Sequence, residues 1–382
     1  MNILIGADIV PTKRNLDLFK MGDVEKLVGK ELLGIIQNAD YKIFNLEVPL
    51  TDKEDPITKS GPNLIAPTDT INGYKSLQID LVTLANNHIL DQGKSGLSST
   101  VRMLDKNGIA HVGAGKNLKE AVEPYIFTVN KKQVGVYACA EHEFSIATEL
   151  CAGANPYDPL ESFDTVKKLK EHCEYVIVLY HGGKEYYQYP SPMLQRVCRK
   201  FVEKGADLVV CQHSHCIGCE EKHRNGTIVY GQGNFIFDGC EDECWQTGLL
   251  IQIDIEKGIS YYPIKKQKES VRLAKDDDSE RIISAFYTRS HAINQKGFVE
   301  QNYKSFAESR VDYYLQQFRG IRDANLFWRG LNHITRGKWR SGLMKLIYGT
   351  SKRMSILNCI QCEAHNELIK AALISMRKRI DI

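Results

Sequence analysis

The sequence lacks any long hydrophobic run, and it therefore predicts no membrane-spanning helix. No stretch approaches the roughly 20 consecutive apolar residues that such a helix needs. The first eight residues, MNILIGAD, form a short apolar run without a charged segment ahead of it, so they do not predict a secretory signal peptide. The sequence shows no internal repeat either.

A strong net charge is also absent. The 50 Lys and Arg residues exceed the 47 Asp and Glu residues by only three, which excludes few classes of protein. The charge is unevenly distributed, because residues 318–382 hold 13 basic and four acidic side chains and leave a net charge of −6 for the first 317 residues. With 43% hydrophobic and 25% charged residues, the composition is typical of a soluble globular protein, and 382 residues suffice for two domains.

The 11 cysteines fit no standard disulfide or metal-binding framework. Their odd number and the missing export signal predict reduced thiols and a cytoplasmic protein, either free or peripheral to the inner face of the membrane. Zinc or iron–sulfur binding by Cys216 and Cys219, or by Cys359 and Cys362 with His365, is the alternative. Their spacings match no standard ribbon, so buried thiols are the preferred interpretation. The Gly113-Ala114-Gly115 segment lacks the full dinucleotide-binding fingerprint and predicts a turn.

The chain is organised around a predicted strand-to-helix loop that contains Asn87, His88 and Asp91. The apolar run 79–84 predicts the strand, and apolar residues at helical spacing up to Gly108 predict the helix. In an open α/β sheet, such loops beyond the carboxyl ends of strands form the ligand sites. An amide oxygen can bind a metal, an imidazole can transfer a proton, and a nearby carboxylate can orient it. The competing interpretation is a helix-capping Asn beside an incidental His.

Polar residues follow five predicted strands in the same way. They are Asp8, Asn45 with Glu47, Asn87 with His88, His181, and His213 with His215. A single His after a strand is usually an ordinary buried polar residue, but five sets at the ends of strands in one sheet converge on one crevice. Mixed carboxylate, amide and imidazole ligands favour Mn, Fe or Zn, and their number favours two metal ions. Two metals that activate a water indicate a hydrolase, most naturally one that acts at phosphorus.

The remaining pattern predicts two domains. Strands and helices alternate through residue 264, with long loops at 52–67 and 140–160, a helix starting at Ser191-Pro192, and a hairpin formed by residues 248–255 and 259–264. The charged run 275–280 predicts a linker, and helical periodicity follows it to the end of the chain. We therefore place the catalytic domain at residues 1–268 and a basic helical extension at residues 269–382.

These motifs resemble those of the CapA family, the capsule and poly-γ-glutamate biosynthesis proteins within the calcineurin-like metallophosphoesterases. The resemblance covers residues 1 to about 265. It rests on Asp8, Asn45-Leu46-Glu47, Ala85-Asn86-Asn87-His88 with Asp91 and Gly93, His181 with Glu185, Gly205-Ala206-Asp207 leading to His213-Ser214-His215, and Gly233-Asn234-Phe235. It implies an α/β fold, namely a four-layer α/β/β/α metallophosphoesterase-like sandwich with a C-terminal helical extension. It also implies a part in making an anionic surface polymer.

The resemblance further implies a role for each residue of the site. Glu47 would bridge two divalent metals, with Asn87, His181 and His213 completing one site and Asp8 and His215 forming the other. His88 would donate a proton to the leaving group, steadied by Asp91, and Asn45, Glu185 and Asn234 would bind substrate. The wider superfamily places a His two residues after the first Asp, where this chain has Val10. The Asp8 site is therefore one protein ligand short and is expected to bind its metal weakly.

Three functions are compatible with the sequence. The first is a metal-dependent hydrolase of surface-polymer synthesis, acting on a phosphoester or a related acyl or γ-glutamyl bond. The second is a non-catalytic subunit that binds metal together with an anionic polymer or a phosphorylated intermediate and docks on a polymer synthase. The third and weakest is a nucleotide phosphoesterase. The basic residues at 326–353 predict a helix that either packs on the catalytic domain or contacts an anionic membrane, whereas nucleic acid is a disfavoured partner.

Overall fold

The computed structural model describes residues 2–238, 240–317 and 348–377. The chain divides into two compact units, the first comprising Met1–Ile57 and Asn63–Tyr303 and the second Thr58–Pro62 and Lys304–Ile382. Among the described helices, none combines the length and apolar character needed to cross a bilayer. Most of the basic segment 326–353, for which we predicted packing or membrane contact, lies outside the described residues.

Sixteen strands and twelve α-helices are present in the described residues. The strands are β1 (Asn2–Ile9), β2 (Tyr41–Leu46), β3 (Leu81–Thr83), β4 (Ala110–Val112), β5 (Ala114–Gly115), β6 (Tyr125–Val129), β7 (Lys132–Ala140), β8 (Gly153–Ala154), β9 (Tyr175–His181), β10 (Leu208–Gln212), β11 (Glu220–His223), β12 (Gly226–Val229), β13 (Asn234–Ile236), β14 (Thr247–Asp254), β15 (Gly258–Gln267) and β16 (Ser270–Leu273). The helices are α1 (Leu16–Met21), α2 (Val24–Val28), α3 (Lys30–Gln37), α4 (Ile71–Ser76), α5 (Gly93–Lys106), α6 (Leu118–Ala121), α7 (Ser162–His172), α8 (Pro192–Glu203), α9 (Asp276–Ala292), α10 (Phe298–Gln317), α11 (Thr350–Gln361) and α12 (Glu363–Arg377).

Two sheets form the centre of the first unit. The eight-stranded sheet has the order β16-β15-β14-β1-β2-β3-β4, and β13 pairs in parallel with the end of β1. The six-stranded sheet has the order β11-β12-β10-β9-β7-β6. In the first sheet β1 to β4 run parallel, and in the second β7, β9, β10 and β12 do. The carboxyl ends of these strands therefore lie at one edge of each sheet.

The two sheets pack face to face, and helices cover their outer faces. Alternate residues of β9 show this arrangement, because side chains on a strand point to opposite faces. Ile177 and Leu179 join the cluster that contains β1 and β2, whereas Val176 and Val178 join the cluster that contains Phe201 of α8. The predicted four-layer α/β/β/α arrangement is confirmed, with a helical C-terminal region after it.

Of two local predictions, the start of α8 is confirmed and the linker at 275–280 is not. The Ser191 side chain caps α8 by accepting a hydrogen bond from the Leu194 backbone N–H, as predicted. The predicted linker at 275–280 was wrong, because Asp276, Asp277 and Asp278 form the first turn of α9. Acidic side chains stabilise a helix N-terminus by interacting with the helix dipole, so this charged run favours a helix start.

The first unit extends beyond the domain boundary predicted at residue 268. Val271 of β16 and Ile282 and Phe286 of α9 are buried in its core, and the unit ends at Tyr303. A chain cut at 268 would lose these side chains, whereas a cut after Tyr303 would keep them. The separability of the segment after residue 268 remains a prediction.

We expect Phe201→Ala to destabilise the protein by about 3–5 kcal/mol. Phe201 is fully buried, and its ring contacts those of Tyr137, Tyr157, Phe163 and Tyr180 at centroid distances of 4.9 to 6.5 Å. Truncation would leave a cavity among rings that cannot all collapse into it. Urea unfolding measures the effect, with Met193→Ala on the exposed face of the same helix as the control. A loss below about 1 kcal/mol for Phe201→Ala would contradict this packing.

Candidate metal centre

Parallel strands bring the predicted site residues to one edge of each sheet. Asp8 lies opposite Asn45 in the pairing of β1 with β2, and His181 lies opposite Gln212 in the pairing of β9 with β10. His213 follows one residue after β10. Because the two sheets pack face to face, ligands from both can meet in the crevice between them.

One group of candidate ligand atoms surrounds His181. Its Nε2 atom lies 3.1 Å from Asn87 Oδ1, 3.2 Å from His213 Nδ1 and 3.6 Å from Glu47 Oε1. Burial lowers the pKa of His181 well below its usual value, and the charges of His213 and His215 lower it further. A neutral His181 can satisfy at most one of these three neighbours by donating a hydrogen bond. The arrangement suits a cation that all four atoms can bind.

A second group of candidate ligands shares Glu47. Glu47, Asp8 and His215 each offer one atom, and these atoms lie within 4.8 Å of one another. His215 Nδ1 lies 3.8 Å from Asp8 Oδ2 and 2.9 Å from Asn234 Oδ1. Burial lowers the pKa of His215 to about 3, although the charge of Glu185 opposes this shift. The second group thus places a neutral imidazole beside two carboxyl groups.

The carboxyl groups of Glu47 and Asp8 indicate whether a divalent metal fits this site. Both carboxyl oxygens of Glu47 and Oδ2 of Asp8 are buried and have no hydrogen-bond donor among the described residues. Burial raises the pKa of Glu47 well above its usual value, and the charge of Asp8 raises it further. Burial also raises the pKa of Asp8. Uncompensated buried carboxylates are costly, and a bound divalent cation removes that cost. These residues fit such an ion.

Two buried asparagines form hydrogen bonds beside the candidate ligands. The Asn45 side-chain amide donates a hydrogen bond to Asp8 Oδ1 at 2.7 Å and lies 3.4 Å from His181 Nδ1. The Asn86 amide donates to Asn45 Oδ1 at 3.0 Å and to the Leu46 carbonyl at 2.9 Å. Both side chains are fully buried. Asn45, predicted to bind substrate, therefore has its amide engaged in holding Asp8, and the sequence interpretation missed Asn86.

His88 and Asp91 form a buried pair beside these groups. His88 Nδ1 lies 2.6 Å from Asp91 Oδ2, which also accepts a 2.6 Å hydrogen bond from the Leu64 backbone N–H. The His88 backbone N–H donates to Asn86 Oδ1 at 3.1 Å. An acceptor carboxylate at Nδ1 favours the tautomer with the proton on Nδ1, so Nε2 becomes the atom that can exchange a proton.

The backbone around the histidines is strained. His213 and His215 adopt φ angles of 86° and 55°, a region that residues other than glycine rarely occupy. Strained residues persist where the surrounding structure holds them and cluster at functional sites. Gly233, with φ of 70°, has no room for a side chain, because a Cβ would lie 2.5 Å from the Thr247 carbonyl oxygen.

Several neighbours of His215 were not predicted. The centroid of the Trp245 ring lies 4.2 Å from the centroid of the His215 ring, and the centroid of the Phe237 ring lies 5.6 Å from it. Lys266 is buried, lies 5.2 Å from the Trp245 ring centroid and donates a hydrogen bond to the Phe237 carbonyl. Burial lowers the pKa of Lys266 to about 7, although the charges of Asp238 and Asp8 oppose this shift. No sequence signal marks Lys266, because basic residues on strands usually face solvent.

The remaining predicted residues lie around the same crevice. Glu185 is half-exposed, and its charge raises the pKa of Glu47 and of His215. Val10, the position where a further ligand was expected, is buried. Cys216 and Cys219 are buried free thiols, and in the part of the chain that the structure describes neither belongs to a cluster of potential metal ligands.

Comparison with known proteins identifies the family. The model of the bacterial capsule synthesis protein family PGA_cap matches residues 3–239, more than half of the chain. The chain belongs to this family. It is 30% identical over 213 residues to the capsule biosynthesis protein CapA of Bacillus anthracis, a match that covers 53% of this chain and 52% of the relative.

Two further similarities are more distant. The PGA biosynthesis protein CapA of Bacillus subtilis (strain 168) is 27% identical over 209 residues, which cover 53% of this chain and 55% of that protein. The chain thus spans about half the length of these relatives. A phosphatase structure from Mycoplasma pneumoniae aligns with a TM-score of 0.42 at 15% identity, covering 71% of this chain and 94% of that one.

Proposed function

We propose that this member of the PGA_cap family is a divalent-metal-dependent hydrolase that acts in the synthesis of an anionic surface polymer such as poly-γ-glutamate. The bond hydrolysed would be a phosphoester or a related acyl or γ-glutamyl bond. The observation that carries the proposal is Glu47, a buried carboxylate shared by two groups of candidate ligands and lacking a hydrogen-bond donor among the described residues. The names of the capsule-synthesis relatives support the polymer context.

The residues of the site would have three roles, namely metal binding, ligand positioning and proton transfer. Glu47, Asn87, His181 and His213 would hold one metal, and Asp8 with His215 would share Glu47 to hold a second, weaker one. When bound, such ions supply a Lewis acid and a hydroxide at neutral pH. Asn45 would keep Asp8 in place. His88 would transfer a proton from Nε2 to the leaving group, with its ring oriented by Asp91.

One observation favours a second candidate, a non-catalytic subunit that binds metal and an anionic polymer or phosphorylated intermediate beside a polymer synthase. Val10 contributes no ligand atom, so Asp8 and His215 must hold a second metal with few protein ligands. A centre with one metal could bind an anionic ligand without efficient turnover.

Hydrolysis assays separate the two candidates. We expect the purified protein with added Mn²⁺ to hydrolyse bis(p-nitrophenyl) phosphate or γ-glutamyl-p-nitroanilide, and we expect EDTA and Glu47→Gln each to abolish turnover. Glu171→Gln, which changes an exposed carboxylate on α7 outside the site, tests whether a mere loss of charge explains the result. Bound metal without turnover of either substrate would support the non-catalytic subunit, and absence of bound metal would refute both candidates.

A further inference from the structure

A cavity of about 240 Å³ is lined in part by Ile217, which lies two residues after His215. Its apolar wall includes Ile217 and Ile282, and its polar lining consists of Gln188, Glu243, Cys244, Thr247, Arg281 and Arg289. None of these residues is among the candidate metal ligands. The cavity is therefore a feature separate from the metal centre.

Arg289 lines this cavity and forms no ion pair with an acidic residue of the described chain. Its Nε donates a hydrogen bond to the Gly218 carbonyl at 2.8 Å, and burial lowers the pKa of its guanidinium. Among the described residues no carboxylate oxygen lies within 4.0 Å of its guanidinium nitrogens. By contrast, Arg281 is paired with Glu243 at 2.6 Å. A partly buried cation without a counter-ion favours the binding of an anion.

The other polar groups of the cavity can complete an anion site. The side chains of Gln188 and Thr247 make no hydrogen bond within the described chain, so an amide and a hydroxyl donor remain available. Arg281 pairs with Glu243 at 2.6 Å and with Asp278 at 3.4 Å, and Asp278 also pairs with Lys265 at 2.7 Å. These two cations and two carboxylates offset one another, which leaves the single charge of Arg289. One positive charge suits a carboxylate better than a phosphate dianion, and the planar guanidinium matches a planar carboxylate. The apolar wall can contact the methylene groups of an organic acid.

We propose that this cavity binds the carboxylate group of a small organic acid, held by Arg289 with Gln188 and Thr247. The cavity adjoins the metal centre, because Ile217 lies two residues after His215 and Cys244 precedes Trp245, whose ring contacts His215. A second carboxylate of an acidic polymer could therefore occupy it during catalysis. That use of the cavity rests on the proposed function, whereas carboxylate binding does not.

Alkylation of Cys244 provides the test, because this half-buried thiol lines the cavity. The probes are butyrate, its uncharged analogue butyramide, and inorganic phosphate, at constant ionic strength. At twice its dissociation constant, butyrate should slow the reaction of Cys244 with iodoacetamide about threefold, the factor expected for two-thirds occupancy. Exposed Cys151 is the internal reference and should react at an unchanged rate. Peptide mass spectrometry follows each thiol, and neither metal nor turnover is needed.

Variants locate the effect. Arg289→Gln should abolish protection of Cys244 by butyrate, whereas Arg102→Gln, a change at an exposed arginine, should leave protection intact. Gln188→Ala should weaken protection, and it provides a second test if Arg289→Gln fails to fold. Equal slowing by butyramide, protection by phosphate alone, no protection by butyrate, or full protection in the folded variants would each overturn the proposal. An absence of hydrolytic activity at the metal centre would not change the protection of Cys244. The proposed function and the proposed carboxylate site can therefore be refuted independently.

Discussion

His213→Ala should lower the metal affinity of the purified protein by more than about 100-fold, the upper end of the effect of changing a residue that merely orients a ligand. His213 Nδ1 lies 3.2 Å from His181 Nε2, and both belong to the buried group around Glu47. Alanine would remove one of the four candidate ligand atoms, and its methyl group cannot bind a metal. The wild-type protein should retain at least one transition metal at this group, and the variant should lose it.

Elemental analysis after gel filtration measures this loss. His223→Ala is the matched control, because this imidazole lies 3.5 Å from Glu203 and outside the metal centre. His215→Ala should have a smaller effect on the metal content, since it belongs to the group with fewer ligands. Unchanged metal content in His213→Ala would refute the assignment of this histidine as a ligand.

The approximate position of the site was predictable because it depends on topology. A buried apolar strand followed by polar residues can be recognised in the sequence, as at His181 after β9 and His213 after β10. In a parallel sheet the carboxyl ends of the strands lie together, so these residues had to come close to one another. The parallel pairing of the strands thus predicts which candidate ligands lie near one another, but it does not predict the distances between them.

The orientation of the site residues was not predictable, because it depends on strand register and backbone strain. Asn45 holds Asp8 only because β1 and β2 pair with these two residues opposite each other. The positive φ angles of His213 and His215 are imposed by the surrounding structure, and nothing in the sequence around Ser214 indicates them. The partners of Asp91 show the same limit, because Leu64 lies 27 residues away in a loop without periodicity.

The burial of two basic side chains could not be predicted from the sequence either. Lys266 lies between Lys265 and Gln267 near the end of β15, and such a polar run predicts an exposed lysine. Its burial results from β13, which pairs with the end of β1 and brings Phe237 and its carbonyl close to the lysine. Similarly, Arg289 shows no unusual sequence context on α9, and only the fold reveals that no acidic residue of the described chain pairs with it.

His88→Asn should lower kcat by about 10²–10⁴-fold without changing the metal content, as expected for the loss of a general acid. The 2.6 Å contact between His88 Nδ1 and Asp91 assigns Nε2 as the atom that transfers the proton. His88 is not among the candidate metal ligands, and its side chain is buried beside them. Asparagine keeps a polar side chain of similar reach but cannot exchange a proton near neutral pH.

The same variant separates general acid catalysis from two other roles. With p-nitrophenolate as the leaving group, which needs no protonation, the loss of kcat should shrink towards tenfold or less, whereas a substrate with an alkoxide leaving group should show the full loss. Asp91→Asn is a poorer test, because Asp91 also accepts a hydrogen bond from the Leu64 backbone and its replacement would disturb that loop. Loss of metal in His88→Asn would show that His88 is a ligand. An equal loss of kcat for both leaving groups would show that His88 only positions the substrate.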